Sequence, residues 1–192
     1  MSMPLTGKNS WPRRIKWQKV KGPNHNVLEL LETPDFSPLE FFFTPVLAVV
    51  SYLFPATIHM TGESGGGFIT AYYSAIDPRI RVAAPVAGDL PLFATAINQT
   101  GVDYEYKHPQ LNSAMNFLDA MVLSACSGKR LQILHKGDPW FKPGPAKLYR
   151  DYVKRVVGLC GGKWRLHITN KKGHGYGKEA IEIFLSAIRS RG

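Results

Sequence analysis

The sequence contains only two cysteines, Cys126 and Cys160, in 192 residues. Two cysteines are too few for the disulfide framework that stabilises small secreted domains. We therefore expect two reduced, structural thiols. The first residues also lack an apolar stretch followed by a small-residue cleavage site. This start predicts no signal peptide and a cytoplasmic protein.

Long apolar runs are absent as well. The longest candidate, residues 41–54, is interrupted by Pro45 and is shorter than the roughly 18 to 20 residues of a membrane span. The sequence thus predicts no membrane span. We interpret this run as a buried helix with Thr44 as its N-cap and Pro45 as its first residue, ending before Pro55.

Several functional motifs are missing. No pair of histidines or cysteines has the spacing of a metal site, so we expect no metal. Gly62 and Gly67 have the spacing of a phosphate-binding loop, but Phe68 stands where that loop has lysine. The sequence GESGGG is similar to the GDSGG of chymotrypsin-like proteases. That fold is all-β and has its histidine and aspartate before the serine. The helical patterns after Ser64 argue against such a fold here.

Acidic residues are scarce, with 14 Asp and Glu against 24 Lys and Arg, which gives a net charge of +10. Six basic residues and no acid lie in residues 7–22, with Trp11 and Trp17 between them. Such a segment is able to bind nucleic acid phosphates or an anionic membrane surface. We favour a solvated N-terminal arm and do not expect nucleic acid binding.

The length and the hydrophobic share of 44% fit one folded domain. We divide the chain into a basic N-terminal segment, residues 1–39, and a domain, residues 40–192. Strand-like runs lie at 57–61, 80–88, 130–138 and 163–170, with helical patterns between them. This alternation predicts an α/β fold, a parallel sheet covered by helices on both faces. A helical insertion at 89–128 is expected to serve as a lid or cap.

The stretch Gly62-Glu63-Ser64-Gly65-Gly66 fits the pattern G-x-S-x-G, with a strand before it and a helix after it. A sharp turn there presents the serine hydroxyl above the sheet, and we expect glycines on either side to prevent clashes. The amide of Gly65 would point toward a forming oxyanion. Glu63 is expected to make local hydrogen bonds. The alternative is a glycine turn without chemistry.

A serine nucleophile requires a base and an orienting acid. The candidates are His174 and Asp138, each of which follows a later predicted strand. Asp138 competes with Asp151 on a helix and with Asp103 and Asp119 in the insertion. For His174 the alternative is a surface histidine in a glycine loop.

Other residues have weaker context. Five histidines lack a comparable position: His25, His59, His108, His135 and His167. Four aromatic residues either line an acyl or sugar pocket or form a small core within the insertion: Tyr104, Tyr106, Phe117 and Trp140.

The stretch HMTGESGGGFITAYYSAIDPRIRVAAPVAG resembles the elbow region of the α/β-hydrolase superfamily, especially its prolyl-oligopeptidase-like and acetyl-xylan-esterase-like bacterial members. The resemblance implies a serine hydrolase that acts on an ester or peptide bond through an acyl-enzyme. Ser64, Asp138 and His174 follow the chain order of such a triad. The implied substrates are a small ester, an acylated sugar or a peptide, and no cofactor is implied.

The sequence departs from this superfamily in its number of strands. Members have an eight-stranded sheet, whereas this sequence predicts only strands five to eight. The other half normally provides the second oxyanion donor, and a substitute from RRIKWQKV and KGPNHN is a weak expectation. The alternative function is therefore a catalytically impaired hydrolase remnant that binds anionic partners through its basic arm. An open sheet edge also predicts self-association.

Overall fold

The computed structural model describes residues 24–53, 55–98 and 103–190. The basic segment at 7–22 lies outside the described residues, so its proposed roles stay predictions. Residues 32–39 contact the rest of the fold: His108 lies 2.9 Å from Glu32, and Leu39 is buried in the core. The division of the chain after residue 39 also stays a prediction.

The centre of the fold is a four-stranded parallel sheet. Its strands are β1 (Ile58–Glu63), β2 (Ile80–Val86), β3 (Lys129–Gly137) and β4 (Lys163–Lys172), hydrogen-bonded in that order. Strands β2 and β3 are buried along most of their length, as parallel strands between helical layers are. All four predicted strands are confirmed.

Helices cover both faces of this sheet. They are α1 (Glu40–Leu53), α2 (Gly65–Ile76), α3 (Leu92–Asn98), α4 (Tyr104–Lys107), α5 (Pro109–Ala114), α6 (Phe117–Ser127), α7 (Ala146–Leu159) and α8 (Lys178–Arg189), preceded by a 3-10 helix (Asn24–Leu31). Successive strand residues point to opposite faces. Lys129 donates to the Ala187 carbonyl of α8, and its neighbour Arg130 donates to Ser74 of α2, so α8 and α2 lie on opposite faces.

Helix α1 begins earlier than the sequence predicts. It starts at Glu40, so Pro45 lies inside the helix and Thr44 is not its N-cap. The first turn forms because the amides of Glu40 and Phe41 donate to the carbonyls of Ser37 and Pro38. Pro45 is exposed, so water is able to bind the carbonyl that its missing N–H leaves without a partner. No helix of the described ranges is long and apolar enough to cross a membrane.

The sequence predicts one continuous helical run in the insertion, but the structure divides it into separate helices. Helix α5 ends at Ala114, and Asn116 caps α6, where its side chain accepts hydrogen bonds from the amides of Leu118 and Asp119. Asp119 in turn accepts from the Asn116 amide, which completes a capping box. Helix α6 packs against α2 and belongs to the layer that covers the sheet. The proposed lid is thus limited to α3–α5.

The expectation of two reduced thiols is wrong. Cys126 and Cys160 form a disulfide with a Cα–Cα distance of 5.7 Å. The two residues lie 34 positions apart, but α6 and α7 pack together and bring their C-terminal ends to the distance that a disulfide requires. Closing a loop of this length typically stabilises a fold by about 2 to 4 kcal/mol.

A fully buried ion pair joins Asp89, just after β2, to Arg130 of β3. Arg130 Nη2 lies 2.8 Å from Asp89 Oδ2, and both side chains have no exposed surface. Arg130 also donates to Ser74 Oγ, and Gln132 donates to the Asp89 carbonyl. Burial raises the pKa of Asp89 to about 7, and the charge of Arg130 opposes that rise. The pair ties β3 to the segment after β2, and the bond from Arg130 to Ser74 ties β3 to α2, the helix that follows Ser64.

One side of the sheet exposes backbone and apolar side chains. Among the described residues, β1 pairs with β2 alone, so its other edge is open. Helix α1 buries Val50 and leaves much of its apolar surface exposed. The exposed apolar residues of α1 are Phe41, Leu47, Val49, Tyr52 and Leu53. Exposed apolar surface and an open strand edge are features that association sites commonly share.

Candidate active site

Ser64 lies in the turn between β1 and α2 and has φ 54° and ψ −120°. A positive φ is strained for a residue with a side chain, so the surrounding contacts must hold it. The Ser64 amide donates to the Val86 carbonyl at 3.0 Å, and its carbonyl accepts from the Phe68 amide at 2.9 Å. Within the described part of the chain its hydroxyl makes no hydrogen bond.

The turn needs glycine at two positions, and the sequence predicts one of them, Gly62. A Cβ on Gly62 would lie 2.2 Å from the Gly66 carbonyl oxygen, a distance that no side chain tolerates. A Cβ on Gly66 would meet nothing within 4 Å, so clash avoidance does not explain that residue. Gly67 has this role instead, because its Cβ would lie 2.9 Å from the Val86 carbonyl oxygen.

Gly65 begins α2, so its amide lies at the positive end of the helix. The carboxyl of Glu105 borders this position: a Cβ on Gly65 would lie 3.3 Å from Glu105 Oε1. Glu105 is buried. The positive end of the helix stabilises negative charge. An oxyanion bound at Gly65 would therefore lie beside the carboxyl of Glu105 at the same helix end. Glu105 is not among the site residues that the sequence predicts.

Asp138 and His174 are hydrogen-bonded to each other. His174 Nδ1–H donates to Asp138 Oδ2 at 2.7 Å. The other carboxylate oxygen accepts from the amides of Trp140 at 2.8 Å and Phe141 at 2.9 Å. Burial acts to raise the pKa of Asp138, but these three hydrogen bonds outweigh it and lower the pKa. Asp138 is thus an ionised acceptor that fixes the orientation of the imidazole.

The other ring nitrogen of His174 faces Glu63. His174 Nε2 and Glu63 Oε1 are 2.7 Å apart, although neither atom has a directed hydrogen bond within the described ranges. Burial acts to lower the pKa of His174, but the hydrogen bond to Asp138 and the charges of Asp138 and Glu63 outweigh it, so the pKa is raised. Glu63 therefore contacts His174, which the sequence analysis did not predict.

Aromatic rings surround the imidazole. Trp140 meets it edge to face, with ring centres 4.7 Å apart, and Phe141 stacks on it at 5.7 Å. Tyr176, two residues after His174, hydrogen-bonds to Thr61 and so links the loop that carries His174 to β1. Trp140 is half exposed, whereas Phe141 is buried.

The remaining aromatic candidates of the insertion lie in the interior. Tyr104, Tyr106 and Phe117 are buried. The Tyr106 hydroxyl donates to the Gly88 carbonyl at 2.7 Å and to the Ser64 carbonyl at 3.2 Å. Tyr106 is thus buried and supports the strained turn.

His135 is a buried residue that the sequence analysis set aside. Its Nε2–H donates to the Gly175 carbonyl at 3.0 Å, and its Nδ1 accepts from the Thr169 hydroxyl at 2.6 Å. The residue therefore anchors the loop that carries His174. Burial lowers the pKa of His135, which favours the neutral ring that this bonding requires. A histidine within a buried strand, three positions before Asp138, was the available sequence signal.

The competing acids have other roles. Asp151 is exposed and pairs with Arg150, 2.9 Å away. Asp119 caps α6, and Asp103 precedes α4. Asp138 is the acid that the structure pairs with His174.

Comparisons with known proteins give structural relatives but no sequence relatives. No family model and no curated protein matches this chain. Methylesterase BT1017 aligns with a TM-score of 0.54 and 23% identity, over 73% of this chain and 33% of its own. Acetyl xylan esterase 1 from Thermoanaerobacterium sp. JW/SL YS485 aligns with a TM-score of 0.54 and 13% identity, over 88% of this chain and 57% of its own.

A puromycin-hydrolyzing peptidase from Mycobacterium tuberculosis aligns with a TM-score of 0.52 and 15% identity, over 73% of this chain and 23% of its own. These esterases and peptidases have the α/β-hydrolase fold, and this chain has it too. The chain spans about a quarter to a little over half of their lengths. At such low sequence identities the structural likeness shows only the fold, so a function has to be inferred from the residues of the site.

Proposed function

We propose that this chain, with its α/β-hydrolase fold, is a serine hydrolase that cleaves an ester or peptide bond through an acyl-enzyme. Ser64 is the nucleophile, His174 the base, Asp138 the orienting acid and Gly65 an oxyanion donor. The observation that carries the proposal is the 2.7 Å hydrogen bond between His174 and Asp138. It forms at the C-terminal ends of the parallel strands, where the strained serine turn also lies.

In the proposed reaction, His174 Nε2 takes the proton of the Ser64 hydroxyl while the serine oxygen attacks the acyl carbon. The negative charge moves to the former carbonyl oxygen, which the Gly65 amide stabilises. The leaving group departs with the proton from His174. Water then attacks the acyl-enzyme by the same steps, which releases the acid and restores Ser64.

Glu63 affects this reaction because it contacts the nitrogen that must accept the proton. His174 acts as a base only when its ring is neutral, so activity should rise as the pH passes upward through its pKa. The charge of Glu63 contributes to the raised pKa. Glu63→Gln removes that charge, and we expect the acid limb of kcat/KM against pH to move to lower pH.

The pH profile is measured with p-nitrophenyl acetate. Glu182→Gln is the matched control because Glu182 lies on α8 and pairs with exposed Lys178. An acid limb at the same pH in Glu63→Gln and wild type would show that Glu63 does not influence the base.

The substrate class is best tested with substrates of graded reactivity. A missing oxyanion donor typically costs about a hundredfold to a thousandfold in turnover, so activated esters should be turned over most readily. We expect hydrolysis of short p-nitrophenyl esters to exceed that of acetylated xylo-oligosaccharides and aminoacyl p-nitroanilides. A folded protein that hydrolyses none of the three would contradict the proposal.

Two observations favour the alternative, a hydrolase remnant with impaired catalysis. Glu105 borders the oxyanion position at Gly65, and Glu63 contacts the base. Binding of anionic partners by the basic arm concerns residues outside the described ranges and stays a prediction. Salt-dependent nucleic acid binding that survives deletion of residues 1–22 would exclude the arm as its source.

Self-association is a further part of the proposal. Its support is the open edge of β1 and the exposed apolar residues of α1. We expect Leu47→Glu to shift the protein toward monomer in sedimentation velocity, because a charge in an apolar contact opposes association. Leu148→Glu, at an exposed position of α7, is the control. A wild type that is monomeric, with β1 amides protected from hydrogen exchange, would contradict self-association.

A further inference from the structure

A cavity lies at the opposite end of the sheet from Ser64. It has a volume of about 380 Å³, and Arg81, Lys129 and Lys163 line it. These residues stand at or next to the first positions of β2, β3 and β4, whereas Ser64 follows the last residue of β1. Because the strands are parallel, the cavity lies at their N-terminal ends and the candidate active site at their C-terminal ends.

The lining of this cavity is cationic. Lys129 pairs in register with Lys163 and with Val82, which pairs with His59. Paired residues point to the same face, so the two lysines and His59 form a row across the sheet. All 14 acidic residues fall within the described ranges, and none of them lines the cavity.

Among the described residues, the positive charges of the cavity lack acidic side chains as partners. Arg81 and Lys163 have no ion-pair partner within the part of the chain that the structure describes. Lys129 Nζ donates to three neutral acceptors, the Ala187 carbonyl and the Ser190 hydroxyl, each at 2.9 Å, and the Ser190 carbonyl at 3.3 Å. Burial and then the charges of Lys163 and Arg165 lower the pKa of Lys129. An anion in the cavity would relieve this repulsion.

The walls of the cavity are fixed by covalent and close contacts. Cys126, whose disulfide to Cys160 links the ends of α6 and α7, belongs to the lining, as does Gly162. A Cβ on Gly162 would lie 2.5 Å from the Ala125 carbonyl oxygen, so the two walls are in contact. The backbone that surrounds the cavity is therefore fixed before any ligand binds.

We propose that this cavity binds the phosphate group of a small phosphomonoester. The guanidinium of Arg81 and the ammonium of Lys163 would donate charge-assisted hydrogen bonds to the dianion. The ammonium of Lys129, which already donates to Ala187 and Ser190, would add the attraction of its charge. The volume accommodates a phosphate with a small organic body, since ligand pockets typically measure about 300 to 1,000 Å³. The site is separate from Ser64 and does not depend on hydrolase activity.

The test is isothermal titration calorimetry with glucose 6-phosphate, inorganic phosphate and uncharged glucose in about 0.15 M salt, a physiological ionic strength. We expect saturable binding of both phosphates and none of glucose. Arg81→Gln/Lys163→Gln should weaken binding by at least about tenfold, because two charge-assisted contacts are lost. Ser64→Ala should bind as wild type does.

The control is Lys147→Gln/Lys154→Gln, which has the same net charge and changes exposed residues of α7 outside the cavity. Equal weakening in both double variants would overturn the proposal, because attraction by net charge would then explain the binding. Binding of a single-stranded oligonucleotide without binding of either phosphate would also overturn it and indicate a nucleic acid surface. Thermal melting verifies that each variant is folded.

Discussion

Ser64→Ala should lower kcat/KM for p-nitrophenyl acetate by at least about a thousandfold, because loss of a triad nucleophile removes the acyl-enzyme route. The remaining rate would come from binding and from the Gly65 amide alone. The fold should be retained, since the Ser64 hydroxyl makes no hydrogen bond within the described residues. Steady-state kinetics and thermal melting measure the two effects separately.

The matched control is Ser51→Ala, an exposed serine of α1, which should leave the rate unchanged. Residues that act as one unit are not additive. The double variant Ser64→Ala/His174→Ala should therefore be little slower than Ser64→Ala alone. A Ser64→Ala variant with the wild-type rate would show that another group carries the hydrolysis.

Arg130→Met should lower the free energy of unfolding by about 3 to 5 kcal/mol, because it leaves the buried carboxyl of Asp89 without its partner. The pair is fully buried, with its atoms 2.8 Å apart. Chemical denaturation measures the change. Arg150→Met is the control: Arg150 pairs with Asp151 at a similar distance but on the exposed surface, where such a pair typically contributes about 1 kcal/mol or less.

The pH dependence distinguishes lost charge pairing from lost packing. Burial raises the pKa of Asp89, and the charge of Arg130 is the largest influence that opposes this rise, so Arg130→Met should raise the pKa further. Protonation at lower pH neutralises the buried carboxylate, so the loss of stability in Arg130→Met should shrink as the pH falls. Arg130→Met/Asp89→Asn should recover part of the loss. A loss that is equal at all pH values and unrelieved in the double variant would indicate packing alone.

The sequence predicts the four strands and the turn at Ser64 because their signals are local. Each strand is a run of apolar and β-branched residues, and the turn is a run of glycines between a strand and a helix. The placement of Asp138 and His174 at the same sheet edge follows from the parallel topology. In a parallel sheet, every residue just after a strand lies at that edge.

The sequence does not predict contacts that depend on tertiary packing. The disulfide requires α6 and α7 to lie side by side, and nothing in the spacing of Cys126 and Cys160 shows that. The approach of Glu63 to His174 and of Glu105 to Gly65 joins distant parts of the chain. Helix α1 begins before Pro45 because its first turn is supported by Ser37 and Pro38, which a cap-based interpretation overlooks.

The central claim is that His174 activates Ser64, and a fluorophosphonate probe tests it most directly. Such a probe reacts with an activated serine, and mass spectrometry of the digested protein identifies the modified residue. We predict labelling of Ser64 in the wild type and its loss in both Ser64→Ala and His174→Ala. Absence of labelling in folded wild type, or labelling that persists in His174→Ala, would contradict the claim.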